Sequence, residues 1–162
     1  MLLAAFTLGG CTASTMLPPP KPGASSPTKT IFVTRHAHKA EGNDPPLSPE
    51  GAASAERLAD ILANENVSAI FATSTRRAME TAAPLSGKTG VAITAYDPRD
   101  PRLLVLSATA NAGSVLIIGH SNTVHDLIGR LGGQPPAQLT EDDYGRVFVI
   151  DANGSVSEFK VS

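Results

Sequence analysis

Two short apolar runs constrain the fold of this chain more than any other feature. Residues 31–34, Ile-Phe-Val-Thr, and residues 115–118, Val-Leu-Ile-Ile, are too short for helices and are apolar at consecutive positions. A strand that is apolar on both faces is typical of the centre of a parallel sheet with helices packed on both sides. The two runs therefore predict two central strands of such a sheet.

The rest of the chain alternates between helix and strand patterns. Ser48 and Pro49, an N-cap followed by proline, predict the start of a helix over about 49–64. The other predicted elements are strands at 67–72 and 91–95, helices at 75–86, 102–110 and 121–131, the last capped by Ser121, and a hairpin of 146–151 and 155–161. We predict an α/β fold, a three-layer sandwich whose mainly parallel central sheet is flanked by helices and ends in an antiparallel C-terminal edge.

The N-terminal segment differs in composition from the rest of the chain. Residues 1–8 are mostly apolar, and Leu8-Gly9-Gly10-Cys11 resembles the lipobox of bacterial lipoproteins, in which Cys11 would be lipidated. Residues 12–29 are rich in Pro, Ser, Thr and Gly, which favours an extended tether. We therefore interpret 1–11 as a signal and lipobox segment, 12–29 as a tether and 30–162 as one domain.

Cys11 is the only cysteine of the chain, so neither an intramolecular disulfide nor a cysteine-based zinc site has a framework. The apolar stretch before it is too short to span a bilayer. We expect an exported protein that is attached to the periplasmic side of a bacterial membrane through its N-terminal lipid alone. The alternative is a chance cysteine in an apolar N-terminus, with a cytoplasmic protein.

Composition disfavours nucleic acid as a partner. The formal net charge is -2, the chain has no Trp, and aromatic residues make up 4% of it. Binding through counterion release needs a broad cationic surface, and base stacking needs aromatic side chains. An anionic ligand would therefore have to be held by a local cluster of cations.

Such a cluster is predicted at the carboxyl ends of the strands. His36 and His120 each follow an apolar run closely, Arg35 precedes His36, and Arg77 lies near the start of a predicted helix. The carboxyl ends of parallel strands line one crevice, so these side chains are expected to meet there. Two guanidinium groups and two imidazoles suit the oxygens of a phosphoryl group, and histidine can attack phosphorus without a metal.

Four motifs resemble those of one family in order and spacing. They are Thr34-Arg35-His36-Ala37, Leu47-Ser48-Pro49-Glu50-Gly51, Ser74-Thr75-Arg76-Arg77-Ala78-Met79-Glu80-Thr81-Ala82 and Gly119-His120-Ser121-Asn122. Together they resemble the histidine phosphatase superfamily, which includes phosphoglycerate mutases, acid phosphatases and small phosphohistidine phosphatases. The resemblance implies that His36 is the nucleophile and that Arg35, Arg77 and His120 hold the phosphate, with Asn122 as a further substrate-binding residue.

The resemblance also guides two choices between residues. Arg77 is preferred to Arg76 because the arginine of the family motif directly precedes the alanine. For the general acid, larger relatives use a carboxylate between the second arginine and the second histidine, an interval that here offers Glu80, Asp97 and Asp100. Asp97 follows a predicted strand and is our candidate acid. The absence of the mutase glutamate argues against mutase activity.

The expected function is that of a metal-independent phosphatase without cofactors, which acts on phosphomonoesters or phosphorylated protein side chains through a phosphohistidine on His36. Only residues 40–46 and 134–143 are available to cover the pocket, so we expect a shallow, open site. The acidic run of residues 141–143 is interpreted as a solvated loop.

Two other functions remain open from the sequence. One is an exported module that binds phosphate without catalysis. The other is a metallohydrolase that would use His36, His38, His125 and Asp126 as ligands. Against the second, His38 is expected at the rim of the pocket and His125 on a helix surface.

Overall fold

The computed structural model describes residues 29–161. The expected signal segment, Cys11 and nearly all of the tether lie outside the described residues. The elements are β1 (Ile31–Arg35), α1 (Pro49–Leu62), β2 (Val67–Thr73), α2 (Arg76–Thr89), β3 (Ile93–Tyr96), α3 (Arg102–Ala110), β4 (Ser114–Gly119), α4 (Ser121–Arg130), β5 (Arg146–Ile150) and β6 (Val156–Lys160). Within 29–161, no helix combines the length and apolar character needed to cross a membrane.

The strands form one sheet in the order β3-β2-β4-β1-β5-β6. The first four strands of this order are parallel, while β5 and β6 are antiparallel to their neighbours. In the register of β1 and β4, Arg35 lies opposite Gly119, and the next backbone N–H, that of His36, donates to the Gly119 carbonyl at 3.0 Å. His36 and His120, which follow this pair, therefore lie next to each other at the same edge of the sheet.

Each face of the sheet has its own hydrophobic core, because successive side chains of a strand point to opposite faces. Phe32 belongs to the core that contains α1 and α2, whereas Val33 belongs to the core that contains α3 and α4. The central strands are buried along their whole length, as consecutive apolar positions require. The three-layer α/β sandwich with an antiparallel edge is confirmed.

The helix ends test the local sequence signals. Helix α1 begins as predicted: the Ser48 hydroxyl accepts a hydrogen bond from the Gly51 N–H, and Pro49 is the first helical residue. Helix α2 runs beyond the predicted end at Ser86 and stops at Gly90, which has a φ of 74°. Glycine closes a helix in the left-handed conformation at the lowest cost because it has no Cβ.

The cap of α4 differs from the prediction. His120, not Ser121, is the N-cap residue, and its backbone N–H donates to the Thr123 hydroxyl at 2.9 Å. Ser121 is the first helical residue, and its hydroxyl donates to Glu141. The N-cap of α4 is therefore one residue earlier than predicted, and it is the histidine that lines the pocket.

Candidate active site

His36 lies directly after β1 and is 2% exposed. Its Nδ1 is 2.8 Å from the Ala37 carbonyl oxygen, which can only accept, so we assign the ring proton to Nδ1. Nε2 then keeps its lone pair. The ring of His120 lies edge-on to that of His36, with centroids 5.3 Å apart. The strand register thus places two imidazoles at one point, one of them with a nucleophilic nitrogen.

Arg77 contacts the nucleophilic nitrogen directly. Its Nε donates a hydrogen bond to His36 Nε2 at 3.0 Å. The preceding Arg76 points elsewhere, and its Nε donates to Glu80 at 2.7 Å on the exposed side of α2. Neighbouring residues of a helix point about 100° apart, so only one of the pair can reach His36.

Both histidines are kept neutral by their surroundings. Burial lowers the pKa of His36 to about 4, and the positive charges of Arg35 and Arg77 act in the same direction, against the hydrogen bond to Ala37. The pKa of His120 is also lowered to about 4, by burial first and then by the two arginines. Its Nε2 is 2.9 Å from the Thr73 hydroxyl at the end of β2.

Arg35 is 3% exposed and is held by the α4–β5 loop, residues 131–145. Its Nη1 donates to the backbone carbonyls of Thr140 and Glu141 at 3.0 and 2.8 Å. Its Nη2 donates to the Glu141 carboxylate at 2.9 Å and to the Tyr144 hydroxyl at 3.2 Å. The Nε of Arg35 is buried without a hydrogen-bond partner. The loop therefore fixes the guanidinium while one of its donors stays unused.

These side chains share a cavity of about 500 Å³, lined by Arg35, His36, Lys39, Arg77, His120, Ser121, Asn122 and Glu141. The structure thus brings together Arg35, His36, Arg77, His120 and Asn122, the five predicted residues of the phosphate pocket. Cationic side chains outnumber the one carboxylate among the described residues of the lining. Such a cavity suits a compact anion.

Asp97 does not reach this cavity. It follows β3, at the edge of the sheet, three strand spacings from β1, which corresponds to about 14 Å. Its carboxylate accepts hydrogen bonds from Arg99, which lower its pKa. A general acid must lie close to the leaving group, and Asp97 does not line the cavity. Asp100 is likewise exposed and paired with Arg102.

The ligand set of the metallohydrolase alternative is not assembled. His38 stacks on Tyr144 and lies 3.7 Å from Glu50, and His125 contacts the Pro136 carbonyl. Within the described range, no group of three or more His, Cys, Asp or Glu side chains could hold a metal ion.

The contribution of the α4–β5 loop to the site was not predicted from the sequence. Glu141 was interpreted as part of a solvated loop, and its side chain is indeed 74% exposed. Its carboxylate nevertheless bridges Arg35 and the Ser121 hydroxyl, the latter at 2.7 Å. Tyr144 and Lys39 were also not singled out. The only sequence signal for Glu141 was its place in one of the two segments able to cover the pocket.

Comparisons with known proteins agree with this geometry. Residues 31–99 match the family model of the histidine phosphatase superfamily (branch 1). No curated protein matches the chain in sequence. Among solved structures, the protein histidine phosphatase SixA complexed with tungstate is 19% identical with a TM-score of 0.61, and the match covers 82% of this chain and 96% of that chain.

Two further structures extend the likeness. A putative phosphohistidine phosphatase SixA from Nakamurella multipartitia is 19% identical, with a TM-score of 0.60 and coverage of 83% of this chain and 95% of that one. A phosphoglycerate mutase from Plasmodium falciparum is 25% identical, with a TM-score of 0.55 and coverage of 83% and 92%. The family match includes Arg35, His36 and Arg77, and the fold is shared over most of the chain. On both grounds, residues 31–99 are similar to the histidine phosphatase superfamily, and the chain shares the fold of these structures.

Proposed function

We propose that the chain is a metal-independent phosphatase that works through a phosphohistidine on His36. The superfamily supports phosphatase or mutase activity in general. The observation that carries the proposal is the state of His36: its Nδ1 donates to a carbonyl, and its Nε2 lone pair faces a cationic cavity. A neutral imidazole held in one tautomer is ready to attack phosphorus.

In the first step, His36 Nε2 attacks the phosphorus atom and the bond to the leaving oxygen breaks. The ring acquires positive charge as the new P–N bond forms, and the Ala37 carbonyl that accepts from Nδ1 stabilises that charge. Before the reaction, Arg77 Nε donates a hydrogen bond to His36 Nε2. When Nε2 attacks, the same N–H donates to a phosphate oxygen instead. In the second step, water attacks the phosphohistidine and releases phosphate and neutral His36.

The other cations hold the remaining phosphate oxygens. Arg35 has a buried Nε–H without a partner, which an oxyanion would satisfy. His120 caps α4, so the backbone N–H groups that begin this helix, including that of Asn122, favour an anion beside it. These donors stabilise the charge that develops during phosphoryl transfer.

For the substrate, we propose phosphomonoesters or phosphorylated protein side chains. His36 lies at the base of the cavity, whereas Lys39 and Glu141 are exposed at its rim. No element among the described residues closes over that rim, so a large substrate can present its phosphate. The resemblance to structures described as protein histidine phosphatases supports the same class. A substrate panel with one strongly preferred small metabolite would contradict this part.

The first test is hydrolysis of p-nitrophenyl phosphate by the full chain in the presence of EDTA, with His36→Ala and His38→Ala in parallel. We expect turnover that survives chelation, is lost in His36→Ala and persists in His38→Ala. Rapid quenching should trap an acid-labile, alkali-stable phosphoryl group on the wild type. Turnover abolished by EDTA or retained by His36→Ala would refute the proposal, and binding of phosphate without turnover would favour a non-catalytic module.

We also propose that the protein is exported and lipid-anchored through Cys11, a part of the chain outside the described residues. The lipobox-like sequence and the tether composition support this. Labelling with radioactive palmitate should mark the wild type but not Cys11→Ala. Equal labelling of both, or of neither, would favour the cytoplasmic alternative.

A further inference from the structure

Glu141 places a carboxylate at the mouth of the pocket. Oε2 accepts from Arg35 Nη2 at 2.9 Å, and Oε1 accepts from the Ser121 hydroxyl at 2.7 Å. Among the described residues that line the cavity, it is the only one with a carboxyl group. Its side chain is 74% exposed, whereas His36 at the base is almost completely buried.

The position of the nucleophile determines where the leaving group must go. In phosphoryl transfer, the attacking and leaving atoms lie roughly in line through phosphorus. With His36 Nε2 at the buried end of the cavity, the leaving oxygen points toward the opening. Glu141 lies on the wall of that opening, on the side of Arg35 and Ser121.

We propose that Glu141 is the proton donor to the leaving group, a role that rests on the proposed phosphatase function. As His36 Nε2 bonds to phosphorus and the P–O bond breaks, the Glu141 carboxyl proton passes to the departing oxygen, and the alcohol leaves. In the second step, water attacks phosphorus and the P–N bond breaks. The proton of that water returns to the Glu141 carboxylate, which restores the acid.

The resting contacts of Glu141 explain how it becomes an acid. The hydrogen bond from Ser121 and then the charge of Arg35 lower the pKa of Glu141, with Lys39 acting in the same direction. A bound phosphate competes for Arg35 Nη2 and brings negative oxygens next to the carboxyl group, so both changes raise the pKa. A substrate that binds as its monoanion supplies the proton that the Glu141 carboxylate takes up.

When phosphate displaces the Glu141 carboxylate, Arg35 keeps its other hydrogen bonds. Nη1 still donates to the backbone carbonyls of Thr140 and Glu141, and the Tyr144 hydroxyl still accepts from Nη2. The side chain of Glu141 can thus move within the mouth while the phosphate-binding guanidinium keeps its position.

Other carboxylates near the site are already used for structure. Glu80 accepts hydrogen bonds from the Leu47 N–H and from Arg76, both at 2.7 Å. Asp44 accepts from the Arg76 N–H and lies 3.7 Å from Arg77 Nη1. Both join the segment before α1 to the start of α2, and neither lines the cavity.

The test compares two esters that differ in their need for an acid: p-nitrophenyl phosphate, whose phenolate leaves readily, and phenyl phosphate, whose phenolate does not. The variants are Glu141→Gln, which keeps size and hydrogen bonding, and Asp142→Asn, which removes the same charge from the neighbouring residue. We expect Glu141→Gln to lower kcat for phenyl phosphate by about 10²-fold or more, and for p-nitrophenyl phosphate by less than about 10-fold. Asp142→Asn should leave both rates near the wild-type values.

The outcomes separate the proton donor from the function on which it rests. Equal losses on both esters, no loss, or faster turnover of both would overturn the role of Glu141 while the phosphatase stands; faster turnover would mean that the carboxylate only competes with phosphate for Arg35. If the wild type hydrolyses neither ester and forms no phosphohistidine, the proposed function fails and the proton donor fails with it.

Discussion

The phenol ring of Tyr144 stacks on the imidazole of His38, with ring centroids 4.0 Å apart. The guanidinium carbon of Arg35 lies 4.0 Å from the centroid of the same phenol ring. Tyr144 therefore joins the last part of the α4–β5 loop to Arg35 at the end of β1 and to His38 just beyond it. Tyr144 contacts Arg35 but does not itself line the cavity.

Tyr144→Ala should weaken phosphate binding because Arg35 loses both a cation–π contact and a hydrogen-bond acceptor. We expect a rise of about 10-fold in the inhibition constant of inorganic phosphate, from a loss of about 1–2 kcal/mol. Tyr144→Phe keeps the ring and should show a smaller effect. Equal effects of the two variants would mean that the hydroxyl, not the ring, positions Arg35.

Arg77→Ala should lower kcat by about 10²–10³-fold, the usual loss when one donor to the transition state is removed. Arg77→Lys should recover little, because an ammonium group lacks the planar fork that contacts His36 Nε2. The adjacent Arg76→Ala is the matched control and should retain most activity. The measurement is steady-state hydrolysis of an aryl phosphate; equal losses in Arg76→Ala and Arg77→Ala would contradict the assignment.

The buried His36 and the partly buried His120 make folding stability depend on pH. The pKa of each is lowered from 6.5 to about 4, so the unfolded chain binds protons in this interval while the folded chain does not. The contribution of the two neutral imidazoles to the free energy of unfolding is fully present above pH 6.5 and is lost as the pH falls toward 4. Urea unfolding at pH 7 and pH 5 should show this decrease, and it should be smaller in His36→Asn.

The same pKa shifts can be measured directly by NMR. The imidazole resonances of His36 and His120 should titrate near pH 4 in phosphate-free buffer. Bound phosphate should raise both pKa values because its negative oxygens stabilise the imidazolium form. Ordinary titration near pH 6.5 without phosphate would contradict the neutral state on which the proposed nucleophilic attack depends.

Gly51→Ala should destabilise the fold. A Cβ at this position would lie 1.9 Å from the carbonyl oxygen of His38, which accepts a hydrogen bond from the Ser48 N–H. Because this neighbour is backbone, we expect a loss of about 1–3 kcal/mol in thermal or urea unfolding. Gly87→Ala, in α2 with nothing within 4 Å, should instead stabilise by about 0.5–1 kcal/mol. Similar effects of the two substitutions would refute the clash.

The central strands are expected to dominate stability. Leu116, in β4, is 0% exposed, and Leu116→Ala should lower the free energy of unfolding by about 2–5 kcal/mol. Leu103 is 77% exposed on α3, and Leu103→Ala should change the free energy of unfolding by less than about 0.5 kcal/mol. Chemical unfolding of both variants makes the comparison. A large loss in Leu103→Ala would show that this leucine is covered in solution.

Much of the fold and most of the residues that line the cavity could be predicted from the sequence. The apolar runs before His36 and His120 mark strands that are buried on both faces, and parallel strands end at one edge of their sheet, so the two imidazoles had to meet. The start of α1 was also predictable because Ser48 and Pro49 act on the backbone within one turn. Each of these inferences depends on residues close together in the chain.

The amino-acid sequence by itself thus determined the layer architecture and the residues that meet in the cationic cavity. Only the tertiary structure decided that β3 lies at the edge, which separates Asp97 from the pocket, and that the α4–β5 loop brings Glu141 and Tyr144 to Arg35. Strand order and the path of an irregular loop depend on packing between distant segments. Such contacts leave no periodic signal in the sequence, so these residues became visible only in the folded chain.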